Sequence, residues 1–119
     1  MKNWLYIKDK IIVLGEDDYV FADMFISVIS EFKNSNKEDL KIYTFKMLQE
    51  LMIENLIDVF VLKNEKNMVN NMLYKYENEI DIEKFIKNID KKWALLGYQL
   101  PEPSELFWIT TSEKGKLLI

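Results

Sequence analysis

The chain has 119 residues, 49% of them hydrophobic and 30% charged, with three glycines and two prolines, which is the composition of one packed domain spanning 1–119 and not of a disordered tail. It has no cysteine, histidine or arginine, so disulfides, thiolate metal sites and cysteine nucleophiles are excluded, and the commonest acid–base catalyst and metal ligand is missing too. Sixteen basic residues, all lysine, against 20 acidic ones give a net charge of −4, which together with the missing arginine weighs against nucleic-acid recognition.

From the N-terminus, Met1-Lys2-Asn3-Trp4 leads into an apolar stretch broken by Lys8, Asp9 and Lys10. That pattern holds neither a signal-peptide core nor a membrane span, so a cytoplasmic protein is expected, as the lack of cysteine also implies. β-Favouring residues on both sides of the charged triplet predict two short strands or one extended arm over Trp4 to Leu14. Gly15 breaks the segment, and Asp17 or Asp18 is placed to cap a helix in which Val20, Phe21, Met24, Phe25, Val28, Ile29 and Phe32 form one apolar stripe.

Asn34-Ser35-Asn36 ends that helix, and Ser35 with Glu38 is a capping-box pattern opening the next. Its stripe is Leu40, Tyr43, Met47, Leu48, Leu51 and Met52, flanked by Ile42 and Phe45, and it stops near Asn55, a residue tolerant of left-handed backbone. Ile57 to Leu62 alternates its faces and reads as a strand. Met68, Val69, Met72, Leu73 and Tyr76 keep helical spacing within the polar stretch Lys63 to Glu79, which predicts a short amphipathic helix.

Asp81 can cap a further helix bearing Ile82, Phe85, Ile86, Ile89, Trp93 and Leu96, with Gly97 to end it. Pro101 and Pro103 stiffen an extended connection. Leu106 to Thr111 reads as a strand, Ser112-Glu113-Lys114-Gly115 as a turn, and Lys116 to Ile119 as a closing strand. The fold class is therefore α+β, with about four helices on a small, mostly antiparallel sheet and a C-terminal β-hairpin.

Two acidic groups are candidates for binding a basic partner, Glu16-Asp17-Asp18 and Glu77-Glu79-Asp81-Glu83, since clustered like charge speeds encounter with the opposite sign. The ordinary reading of each is helix capping and surface solvation. No spaced calcium loop, Walker loop or nucleophile elbow occurs, so no metal, cofactor or catalytic residue is expected. Lys84, Lys87, Lys91 and Lys92 read as a solvated helix face, with Asp90 interrupting the positive field. In the strand from Leu106 to Thr111, Leu106, Trp108 and Thr110 share one face and Phe107, Ile109 and Thr111 the other. Both faces carry apolar residues, so one awaits a partner or a second copy of the chain, and Trp108 is a candidate contact.

The run Met47-Leu48-Gln49-Glu50-Leu51-Met52 into Ile57 and Leu62, then Ile82 to Trp93, then Phe107-Trp108, resembles a small bacterial domain family akin to the immunity proteins of polymorphic and contact-dependent growth inhibition toxins. The resemblance covers residues 16–119, and Asn55 stands where that pattern has glycine. It implies a non-catalytic protein that binds and neutralises a cognate toxin, for instance a basic nuclease domain whose phosphate-seeking surface an acidic inhibitor can occupy. The predicted order of elements is also similar to winged-helix regulators, with Thr110 to Gly115 as the wing, which would act through protein or DNA contacts.

Overall fold

The computed structural model describes residues 3–31, 37–62, 73–75, 82–102 and 106–118. Trp4–Leu14 is a helix, α1, and not the strands or arm expected. The Asn3 side chain caps it by accepting the Tyr6 N–H at 2.8 Å. Ile7, Ile11 and Ile12 keep helical spacing and are buried. Their β-branched shape favours strands by tenths of a kcal/mol, whereas burying each contributes about 2 kcal/mol, and burial decides. Lys8 and Lys10 then reach off the helix to Glu50 and Glu31, at 2.9 and 2.8 Å, instead of making a turn.

Asp17 and Asp18 do not cap the next helix. Val20–Phe21 is a short strand, β1, and the helix α2 spans Ala22–Ser30 with Phe21 at its N-cap and no side-chain cap bond. Pairing of Val20 with Ile109 draws these residues into the sheet and out of the helix. Asp18 instead accepts the N–H of Tyr19 at 2.8 Å. Phe25, Val28 and Ile29 of α2 are buried, as their spacing requires, and Ile26 is buried with them, whereas Met24 of the expected stripe is exposed.

Helix α3 spans Lys37–Ile53 and buries Thr44, Met47, Leu48, Leu51 and Met52. Its expected cap, Ser35, lies outside the described residues. Asn55 ends it with φ 58°. The N–H of Leu56 bonds the carbonyl of Leu51 at 2.9 Å and that of Asn55 the carbonyl of Met52 at 3.1 Å, the two bonds of a Schellman ending. Strand β2 follows at Ile57–Leu62.

Leu73–Lys75 forms strand β3 against Phe60 to Leu62, where a helix was expected. Apolar spacing alone does not separate the two in so short a run, and an available strand edge settles these residues as β. The rest of the expected helix, and the cap Asp81, lie outside the described residues. Helix α4, Ile82–Leu95, buries Phe85, Ile89 and Trp93. Gly97, at φ 68°, closes it with Tyr98 N–H to Trp93 carbonyl and Gly97 N–H to Ala94 carbonyl bonds, both 3.0 Å.

Strand β4 is Trp108–Thr111, and the following Glu113–Lys116 is one helical turn, α5, instead of a turn leading to a closing strand. Ser112 causes this. Its hydroxyl accepts the Gly115 N–H at 3.0 Å and donates to the Asn55 carbonyl at 2.6 Å, which pins the turn against the end of α3. The neighbours of β4 are therefore β1 and β2. The sheet is antiparallel with order β1-β4-β2-β3.

The fold is α+β, with five helices and four strands among the described residues. Val20, Ile57, Val59, Val61, Ile109 and Thr111 face inward and are buried with the apolar stripes of α1 to α4. Phe107 joins that core just before β4, edge-on to Phe25 and Phe85 at 5.5 and 6.2 Å. By the alternation of strands, Phe21, Asp58, Phe60, Trp108 and Thr110 occupy the opposite face, where each is partly exposed.

Candidate protein-binding face

The turn after α1 must reverse the chain and deliver Val20 to the sheet edge, and the sequence fills it with Glu16-Asp17-Asp18-Tyr19. Its position is fixed from the sheet side. The Thr111 N–H donates to the Gly15 carbonyl at 2.8 Å, and the Thr111 hydroxyl donates to the Ile12 carbonyl at 2.5 Å. This draws the acidic turn over the end of β4, where Asp58 of β2 and Glu113 of α5 also lie. The result is a cleft of about 360 Å³ lined by Gly15 to Tyr19, Asp58, Thr110, Thr111, Glu113 and Lys116.

Five carboxylates and one ammonium group line this cleft. Lys116 is held by Glu113 at 3.6 Å on an exposed surface, so it offsets little of the negative potential left by the other four. Asp17 and Asp18 are exposed. Among the described residues no group of three or more carboxylates converges to hold a metal ion. The charges are spread over a surface, an arrangement that suits several cationic side chains better than one ion.

Tyr19 links the cleft to the outer face of the sheet. Its ring is edge-on to Trp108 at 5.1 Å and to Phe60 at 5.6 Å, and Trp108 is in turn edge-on to Phe21 at 4.8 Å. The register explains the row, because Phe60 and Phe21 both pair with Trp108 across β4. Asp58 sits two residues along β2 from Phe60 and shares its face. The indole N–H of Trp108 is buried and has no hydrogen-bond partner among the described residues.

Of the residues singled out in the sequence, Glu16, Asp17, Asp18 and Trp108 are brought to one continuous face. Glu83 is exposed in the first turn of α4, and Glu77, Glu79 and Asp81 lie outside the described residues. Sequence reasoning missed Tyr19, Phe21, Phe60, Asp58 and Glu113. The alternation of Ile57 to Leu62 already placed Asp58 and Phe60 together, but only the strand order sets them beside Trp108. The four lysines of α4, Lys84, Lys87, Lys91 and Lys92, are exposed, as a solvated face requires.

A larger concavity, about 570 Å³, lies beside α3 and is lined by Trp4, Tyr43, Lys46, Gln49, Glu50, Ile53 and Glu54. Lys8 of α1, outside this lining, reaches both Glu50 and Glu54. The hydrogen bond from Lys8 holds the Glu50 carboxyl below its ordinary pKa against the opposing effect of burial, and the Trp4 N–H adds to this. Burial pulls the Lys8 ammonium down, but bonds to Glu54 and Glu50 outweigh it and the net shift is upward.

No helix among the described residues is long and apolar enough to cross a membrane. Comparison with known proteins gives no match, whether to a family model, a curated protein or a solved structure.

Proposed function

We propose that this chain is a non-catalytic protein-binding domain, an immunity protein that neutralises a bacterial toxin domain through the acidic cleft and the aromatic row beside it. One observation carries the reading. Tyr19 lines the cleft while its ring meets Trp108 and Phe60, so that charge and aromatic surface form a single face. Carboxylates at the edge of such a face steer a basic partner, and desolvated aromatics supply most of the binding energy. A nuclease domain, whose own surface is built to attract phosphates, has the complementary charge.

The chain also offers no histidine or cysteine to a nucleophile or a general base, which favours binding over catalysis. The winged-helix alternative loses its support in the fold, since Thr110 and Thr111 end β4 and Ser112 caps α5, Glu113–Lys116, where the wing was expected.

The test is affinity capture from the host with a tagged chain, at low and high salt with nuclease present, using wild type beside a Glu16→Lys, Asp17→Lys variant. The expected result is one large protein, retained through its toxin region by the wild type, released by salt and lost with the variant. Growth arrest by that toxin region is then relieved by co-expression of the wild-type chain. Recovery of the chain alone, or of chromosomal proteins lost on nuclease treatment, refutes the reading.

A further inference from the structure

The concavity beside α3, about 570 Å³, has the size of a small-molecule site. Its walls include the Trp4 and Tyr43 rings, with centroids 6.2 Å apart and planes at 59°, and Ile53, which is 61% exposed. Helical spacing places Tyr43, Lys46, Glu50 and Ile53 along one side of α3, so the concavity follows that helix with Trp4 as its wall on α1.

The charges lining it differ in what they can still offer. Glu50 accepts the Trp4 indole N–H at 3.3 Å on each oxygen and the Lys8 ammonium at 2.9 Å, and Glu54 also accepts Lys8. Lys8 does this from outside the lining. Lys46 is exposed on the rim and makes no ion pair among the described residues, and the Gln49 amide lies one turn along the same helix.

We propose that this concavity binds a small amphipathic anion, an alkyl or aromatic carboxylate, with its apolar body against Trp4, Tyr43 and Ile53 and its head group on Lys46. A cation is the poorer fit because both carboxylates it would seek already hold Lys8. A neutral apolar ligand would take the same floor but gain nothing from Lys46.

Binding is measured on the folded full chain with anilinonaphthalene sulfonate, an aromatic anion whose fluorescence rises in apolar surroundings, followed by displacement with decanoate. Saturable one-site binding is expected, displaced by decanoate but not by decyltrimethylammonium. Lys46→Glu and Ile53→Glu should each weaken it about tenfold or more, whereas Lys46→Arg and Lys87→Glu, the latter an equal charge change on exposed α4, should retain it. Lys46 and Ile53 are surface positions, and circular dichroism checks that each variant is folded. A variant that is not is replaced by Lys46→Gln or Ile53→Ser, with the same expectation. The absence of saturable binding, equal displacement by the cation, or equal weakening by Lys87→Glu overturns the proposal.

Discussion

Gly115→Ala sets two physical effects of opposite sign against each other. Gly115 lies in α5, and helix propensity alone favours alanine by about 1 kcal/mol. The space forbids it. A Cβ at this position would sit 2.3 Å from the backbone oxygen of Leu56 and 2.7 Å from the Thr111 methyl carbon. Restoring ordinary contact requires α5 to retreat by about 1 Å, which stretches the Ser112 N–H to Leu56 carbonyl bond of 3.0 Å and the Ser112 hydroxyl to Asn55 carbonyl bond of 2.6 Å. Overpacking at about 1–3 kcal/mol and two weakened hydrogen bonds at about 1 kcal/mol each outweigh the propensity gain, for a net loss of about 2–4 kcal/mol. In a domain of this size that lowers Tm by about 10 °C. Denaturant unfolding followed by tryptophan fluorescence and circular dichroism measures it. Gly97→Ala is the comparison, since Gly97 has φ 68° with its nearest neighbouring atom 4.0 Å away, and its loss should be about 1 kcal/mol from backbone strain alone. Equal stabilities of Gly115→Ala and wild type would refute the close packing of α5 on the end of α3.

Three further outcomes are expected. Thr44 is fully buried on α3 and its hydroxyl has no hydrogen-bond partner among the described residues, so the isosteric Thr44→Val should stabilise the fold by about 1 kcal/mol in denaturant unfolding. Glu50 has its pKa lowered by Lys8 and Trp4; its contribution is therefore present above the unfolded carboxylate's pKa and lost as pH falls through the depressed folded value. The stability gap between wild type and Glu50→Gln, about 1 kcal/mol or less for so exposed a pair, should be open at neutral pH and closed in strong acid. At the proposed face, Asp17→Lys with Asp18→Asn, the latter keeping an acceptor for the Tyr19 N–H, should slow association with the captured partner in stopped-flow mixing. That effect should shrink as salt is added.

What was legible in the sequence was the pattern each element buries. Asn55 and Gly97 were read as helix endings and both carry left-handed backbone there, because the requirement is local and chemical. The division of β4 into an inward face of Ile109 and Thr111 and an outward face of Trp108 and Thr110 was also read, since alternation is inherent in a strand. The misread segments were those decided by partners distant in sequence. The isoleucines of α1 favour either structure until a core exists to receive one face of a helix. Val20 is pulled from its helical stripe by Ile109, and Ser112 turns from hairpin to cap because the Asn55 carbonyl is within reach. The proposed face follows the same rule. Its acidic turn and Trp108 were visible separately, and their meeting through Tyr19 depends on a strand order that no local pattern contains.

Charge and aromatic surface in one face should divide the kinetics of binding between them. Asp17 and Asp18 are exposed and Glu16 is partly so, and these carboxylates act mainly through their long-range potential. Substitutions there should alter the association rate and its salt dependence, and leave the lifetime of the complex largely unchanged. Trp108 is partly covered by Tyr19 and Phe21, and Phe60 by Tyr19, so a partner that completes their burial gains apolar area and close contact only after docking. Truncating either should raise the dissociation rate at any ionic strength. A partner surface that is basic but lacks an apolar element would show the first effect without the second. The row from Tyr19 to Phe21 would then be a stabilising feature of the sheet, and the recognition surface would be confined to the cleft.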